Sequence, residues 1–317
     1  MKKTEAILLL NMGGPNNLHE VEVFLTNMFN DKNILTMKSS LLRKFIATMI
    51  TFSRTEKSQD IYRQIGGKSP LVGHTKNLVA KLQERVGAHV VVDFVMRYTP
   101  PFADEVIERL AQEEIENIYL IPLYPQYSTT TTKSSLEDFY ERYHAMNGKA
   151  IVHEIQHFFQ NERYNQAVLE KIMQEIDLDE VQEFELIFSA HGLPQKIVDA
   201  GDVYELHVQK HVALLQEMLE QKGIYFAQVH LAYQSKVGPL KWLTPSLEEK
   251  LHEVRSKKVL IVPLAFTIDN SETDFELEIE YREVAEELGF EAYKVARCPN
   301  DSELFVEALL EIYHKMK

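Results

Sequence analysis

Cysteine is nearly missing from this chain: Cys298 is the single one among 317 residues. No disulfide can form within it, and a cysteine-ligated iron–sulfur cluster would need several thiolates. No such cluster and no other cofactor is expected, and a reducing compartment, the cytoplasm, fits. Basic runs are missing too. Lys and Arg number 34 against 48 Asp and Glu, a formal net charge of −14. A surface that acidic repels phosphate backbones, which argues against nucleic acid as a partner. Nothing approaches the roughly 20 apolar residues of a membrane span. The N-terminus imitates a secretory signal, with Lys2 and Lys3 before Ala6–Leu10. That run stops at Asn11 and Gly13-Gly14-Pro15, with no small-residue cleavage site, and reads as a buried first strand.

Hydrophobic residues at 45% and charged residues at 26% describe an ordinary folded protein, and the length predicts about two domains. Eight short apolar runs alternate with longer amphipathic stretches. They are 6–11, 90–95, 118–123, 150–155, 185–190, 226–233, 258–266 and 291–296. Most are continuous, as in strands covered on both faces by helices. The alternation predicts an α/β protein with parallel sheets. The order also repeats: LLLNMGGP (8–15) matches LIFSAHGLP (186–194), and IPLYPQYS (121–128) matches VPLAFTID (262–269). Two similar domains of four strands each follow, over 1–158 and 159–317, with the last helix (301–316) able to return to the first domain.

Ligands of open α/β sheets bind beyond the carboxyl ends of the strands. The unusual residues fall there, and one cleft between two facing domains is expected to hold them. His191 ends a buried strand before Gly192 and Pro194. Its counterpart in the repeat is Met12, so the turn itself does not require an imidazole. Histidine exchanges protons near neutral pH or ligates a transition metal. The acidic run 269–287 reads as a helix entered from the cleft. Glu272, Glu276 and Glu280, spaced i, i+4, i+8, share one face. The bland reading is a solvated acidic surface, and Glu278, Glu283 and Glu287 fit it. Glu272, at the helix start, fits a site better, with Glu276 and Glu280 passing protons or hydrated cations outward. The hydroxyl-rich turn 124–135 exceeds what capping a helix from about Leu136 needs. The stripe Leu41, Leu42, Phe45, Ile46, Met49 and Phe52 in 40–52 is most simply core. It also suits a lip over a flat ligand or peripheral membrane contact. HEIQH (153–157) matches a zinc-protease pattern, but AIV before it reads as strand, so the two histidines would not share a helix face. His207 and His211 read as surface residues of a charged helix.

Seven motifs in order then carry a resemblance that runs nearly end to end. They are LLLNMGGP (8–15), YRQIGGKSPL (62–71), MRYTP (96–100), LYPQYSTTTTKSS (123–135), SAHGLP (189–194), YQSKVGPLKWLTP (233–245) and PLAFTIDNSETDFELEIEY (263–281). Together the chain resembles the ferrochelatases, lyases that insert ferrous iron into a porphyrin to make heme. The resemblance implies two Rossmann-like domains of the class II chelatase kind, with porphyrin and iron as substrates. It implies that His191 and Glu272 are the catalytic pair at the metal. It implies that Met12, Arg97, Tyr98, Tyr124 and Ser128 face the porphyrin, Arg97 pairing with a propionate. Tyr233 stands where the family has Trp and keeps an aromatic wall. Asn270 stands where the family has a histidine before its glutamate; asparagine takes no proton. Protoporphyrin IX is the expected substrate and coproporphyrin III the alternative. A non-catalytic porphyrin or heme carrier, and a chelatase for another tetrapyrrole with cobalt or nickel, are the competing readings.

Overall fold

In a computed structural model of the chain, residues 2–236 and 238–317 are described; Val237, inside the YQSKVGPL run, lies outside them. The chain divides into two compact units, Met1–His157 with Leu309–Lys317, and Phe158–Ala308. The terminal helix Glu303–Met316 is thus shared between them.

Each unit holds one parallel four-stranded sheet. The first contains β1 (Glu5–Asn11), β2 (Val90–Met96), β3 (Asn117–Pro122) and β4 (Ile151–Glu154), in the order β2-β1-β3-β4. The second contains β5 (Glu185–His191), β6 (Gln228–Gln234), β7 (Lys258–Pro263) and β8 (Ala292–Val295), in the order β6-β5-β7-β8. All eight expected strands are present, and the two orders are the same. The register matches as well: Leu10 pairs with Pro122 and Ser189 with Pro263. Leu123 N then bonds Leu10 O at 2.7 Å, and Leu264 N bonds Ser189 O at 2.8 Å. By this correspondence of register, Met12 is the positional counterpart of His191.

The central strands are apolar on both faces because helices cover both. Ala6, Leu8 and Leu10 pack with Val106, Ile107 and Leu110 of helix Ala103–Gln112 and with Phe139. Ile187, Val259 and Ile261 pack with Leu247, Leu251 and Leu277. Each fully buried Leu, Ile or Phe stabilises its unit by about 1.5–3 kcal/mol. The third strand of each sheet ends at a proline, which has no N–H to continue a ladder. Both are followed by a π-helical segment, Thr129–Lys133 in the first unit and Glu272–Glu280 in the second. Order β2-β1-β3-β4 puts the switch point at the carboxyl ends of β1 and β3, and of β5 and β7 in the second sheet. Ligand crevices form at such points.

Three sequence expectations are corrected. The stripe in 40–52 is not core: helix Ser40–Gln64 leaves Phe52 87%, Leu41 80% and Phe45 65% exposed, although Ala47 is buried. Nor are His207 and His211 surface residues. His211 is fully buried on helix Tyr204–Gln221, with Nε2 2.8 Å from Asn165 Oδ1, and burial pushes its imidazole down to about 3. His207 is half-buried with its ring 4.8 Å from that of Phe159. Finally, the acidic run begins as a π-helix rather than an α-helix. In the HEIQH run, His153 lies on strand β4, stacked on Tyr119 at 4.7 Å, so no zinc-protease helix exists there.

Candidate active site at the ends of β5 and β7

His191 is the last residue of β5. Gly192 follows, and its N–H donates to Gln234 O at 2.8 Å. A Cβ on Gly192 would stand 2.6 Å from that oxygen, so the approach of β6 demands glycine. Tyr204 Oη donates to His191 O at 3.0 Å, and the Phe266 ring meets the imidazole edge-on at 6.4 Å. Backbone and ring are therefore held from three directions.

His191 Nδ1 lies 2.8 Å from Glu272 Oε2; the side chains are 40% and 25% exposed. A carboxylate on Nδ1 favours the tautomer with its proton there. Nε2 is then the nitrogen with a lone pair to offer. Burial alone would lower the imidazole's pKa, but the charge and hydrogen bond of Glu272, with the charge of Glu276, outweigh it and raise it.

Glu272 opens the π-helix Glu272–Glu280, whose i→i+5 bonding widens each turn. Asn270 starts it. Its Oδ1 accepts from Glu272 N at 2.8 Å, and its Nδ2 donates to Ile268 O at 3.2 Å. The asparagine thus caps the segment that carries Glu272. Asp269 is structural: it accepts from Cys298 N at 3.0 Å and from Asn300 Nδ2 at 2.7 Å. Along the row, Glu276 receives Ser235 N at 2.7 Å, Ser235 Oγ at 2.5 Å and Gln234 Nε2 at 3.1 Å. Burial, then the neighbouring charge of Glu272, push its carboxyl up to about 7 against those donors. Glu280 is exposed. The three carboxylates run from a half-buried pair to solvent. Among the described residues, no group of three or more His, Cys, Asp or Glu is arranged to hold a metal ion.

The first unit's residues form a separate network. Met12 is half-buried after β1. Gly13 beside it has φ +86°, and a Cβ there would meet Thr99 Oγ1 at 2.4 Å. Arg97 faces two carboxylates, Asp31 at 3.4 Å and Asp138 at 3.2 Å, and its Nε donates to Ser134 Oγ at 3.1 Å. Those contacts occupy the guanidinium that was expected to meet a propionate. Tyr98 is buried and donates to Asp31 at 2.8 Å; Ser134 donates to the same carboxylate. Tyr124 is buried with its hydroxyl 3.1 Å from Ser135 Oγ, and Ser128 is buried, accepting from Thr130 N at 3.2 Å. Tyr233, in the second unit, is buried with no hydrogen-bond partner for its hydroxyl among the described residues. The motif positions other than Met12 and Arg97 are thus walls and struts more than open surface. Sequence reasoning missed Asp31 and Asp138, and it gave no role to Gln234 and Ser235, which lie inside the YQSKVGPLKWLTP motif. A half-buried arginine at a strand end, such as Arg97, signals a carboxylate somewhere, but not which one.

The family model described as ferrochelatase matches residues 4–317. The chain belongs to the ferrochelatase family. It is 70% identical over 315 residues to a ferrochelatase of Sulfurimonas denitrificans, covering 99% of this chain and all of that one. It is 55% identical to a ferrochelatase of a Nitratiruptor species over 98% of this chain and 100% of the relative. It is 46% identical to a ferrochelatase of Helicobacter pylori strain J99 over 99% and 93%. Among solved structures it is similar to SirB from Bacillus subtilis with Fe3+, at TM-score 0.59 and 13% identity, over 99% of this chain and 95% of that one. A sirohydrochlorin chelatase SirB with cobalt aligns at TM-score 0.58 and 12% identity, with the same coverage. At that identity these two establish the fold: two Rossmann-like halves, each with a parallel four-stranded sheet.

Proposed function

We propose that this family member inserts ferrous iron into protoporphyrin IX to give protoheme, with His191 and Glu272 as the catalytic pair. The observation that carries the reading is the 2.8 Å contact between His191 Nδ1 and Glu272 Oε2 at the switch point of the second sheet. Insertion requires a bent macrocycle, loss of two pyrrole protons, and a metal that sheds its water. Neutral imidazole suits both Fe2+ ligation and proton acceptance, and Nε2 is the lone pair that Glu272 leaves available. Glu272 orients the ring and stabilises the imidazolium once a proton arrives. Glu276 and Glu280 carry protons or hydrated iron between Glu272 and solvent.

Met12, Arg97, Tyr98, Tyr124, Ser128 and Tyr233 are assigned to porphyrin binding. Tyr98, Tyr124, Ser128 and Tyr233 serve by stiffening the wall, since their side chains are buried. A rigid wall keeps a distorted substrate distorted, with binding energy from the rest of the ring sustaining the strain. No resident cofactor is invoked in these steps, and the single thiol, Cys298, is buried. No helix among the described residues is long and apolar enough to cross a membrane. A cytoplasmic enzyme touching a membrane surface through 40–52 fits that stripe's exposure.

Anaerobic turnover with Fe2+ and each porphyrin tests the proposal. Porphyrin fluorescence should fall catalytically, many equivalents per chain, and faster with protoporphyrin IX than with coproporphyrin III. Stoichiometric quenching alone would indicate a carrier, and faster turnover of coproporphyrin III would reassign the substrate.

A further inference from the structure

Ser235 stands just past the end of β6 at φ +66°, in the left-handed region that a non-glycine residue rarely adopts. Its neighbours are pinned. Tyr233 N donates to Pro245 O at 3.0 Å, and Gln234 O accepts from Gly192 N at 2.8 Å. Strained backbone persists where its surroundings over-determine it, and such places cluster at functional sites. Here the strained turn aims both donors of one residue at Glu276: Ser235 N at Oε1, 2.7 Å, and Ser235 Oγ at Oε2, 2.5 Å. The same Oγ lies 3.5 Å from Glu272 Oε2. Gln234 is fully buried and gives Glu276 Oε2 a third donor at 3.1 Å. Its amide is fixed in that sense, because Oε1 accepts from Ser189 Oγ at 2.8 Å. A flipped amide would turn an oxygen toward a carboxylate.

We infer that Ser235 is a positioning residue: its hydroxyl, on a strained turn locked by Gln234 and Gly192, holds the Glu272 and Glu276 carboxylates side by side behind His191. The inference rests on the proposed function, which gives those carboxylates their part in metal and proton exchange. Without the hydroxyl, Glu276 keeps two of its three donors and loses its link to Glu272. Both side chains then regain rotamers. A misplacement of about 1 Å near the chemistry is enough to slow a reaction on the order of 100-fold.

The test is Ser235→Gly in the full chain, assayed anaerobically with Fe2+ and protoporphyrin IX. Glycine accepts the positive φ, keeps the N–H to Oε1 and removes the hydroxymethyl group that carries the hydroxyl. The expected result is a fall in kcat of about tenfold or more, with porphyrin KM and Tm unchanged. Ser235→Ala, which retains the strain, should lose kcat equally and melt lower. A Ser235→Gly enzyme with wild-type kcat overturns the inference. So does a fall in kcat accompanied by a raised KM and a lowered Tm, the signature of a merely structural serine. Wild type measured alongside separates the two levels. A wild type without turnover overturns the proposed function and this inference together; an active wild type matched by its variant overturns this inference alone.

Discussion

Glu276 is half-buried beside a second carboxylate, yet it receives three hydrogen bonds. Its carboxyl is raised from the ordinary 4.5 to about 7. Between those values the folded chain holds a proton that the unfolded chain releases. Stability from this group is therefore fully present below about 4.5 and is lost as pH rises through about 7. Glu276→Gln removes that dependence. Calorimetry should show the variant melting above wild type at pH 8, with the gap closing toward pH 4.5; parallel melting curves would contradict the assignment. Glu185 shows the opposite sign. Burial would raise it, but Ser256 N–H, His230 and Arg255 N–H lower it. Its contribution is present above the unfolded value and is lost as pH falls through the folded one. Glu185→Ala strands two backbone donors and His230, at about 1–3 kcal/mol for each buried group left unpaired. A large drop in Tm with unchanged porphyrin KM is expected, and an unchanged Tm would refute it. His191 was legible as a residue because a histidine at a strand end lacked a structural reason in its repeat partner. Arg97's carboxylates were not legible: Asp31 and Asp138 lie 66 and 41 residues away in sequence, and no local pattern links them.

At the scale of elements, the eight strands were readable because both faces of the central ones are buried, which leaves continuous apolar runs. The π-helix was not. A spacing of i, i+4, i+8 puts carboxylates in a row on either winding, so the sequence pattern does not separate them. The exposure of helix Ser40–Gln64 was also hidden, because periodicity reveals a stripe but not what covers it. Between residues 38 and 57, Lys38, Arg43, Lys44, Arg54 and Lys57 stand against one acid, Glu56, in a chain whose net charge is −14. Apolar side chains rimmed by basic ones suit an anionic lipid surface. The chain should co-sediment with anionic vesicles, and Phe45→Asp with Phe52→Asp should abolish this. Stability should change by no more than about 0.5 kcal/mol, as for exposed sites generally. Wild type that stays in the supernatant would contradict the proposed membrane contact.

For the whole molecule, the two sheets share strand order, register and a π-helical segment after the third strand, as expected of a duplicated unit. The copies differ where chemistry is assigned: Met12 in one, His191 in the other. The terminal helix shows how late sequence supports early sequence, since Tyr313 donates to Glu5 at the start of β1 and packs on Tyr119 at 5.0 Å. Tyr313→Ala should destabilise the first unit by about 3–5 kcal/mol, as for other large aromatic truncations; a melting curve unchanged from wild type would contradict that packing. The central claim concerns His191, and anaerobic metal insertion by His191→Ala tests it most directly. The account predicts that this variant binds protoporphyrin IX as wild type does and loses insertion by at least about 100-fold. Near-normal turnover would contradict it.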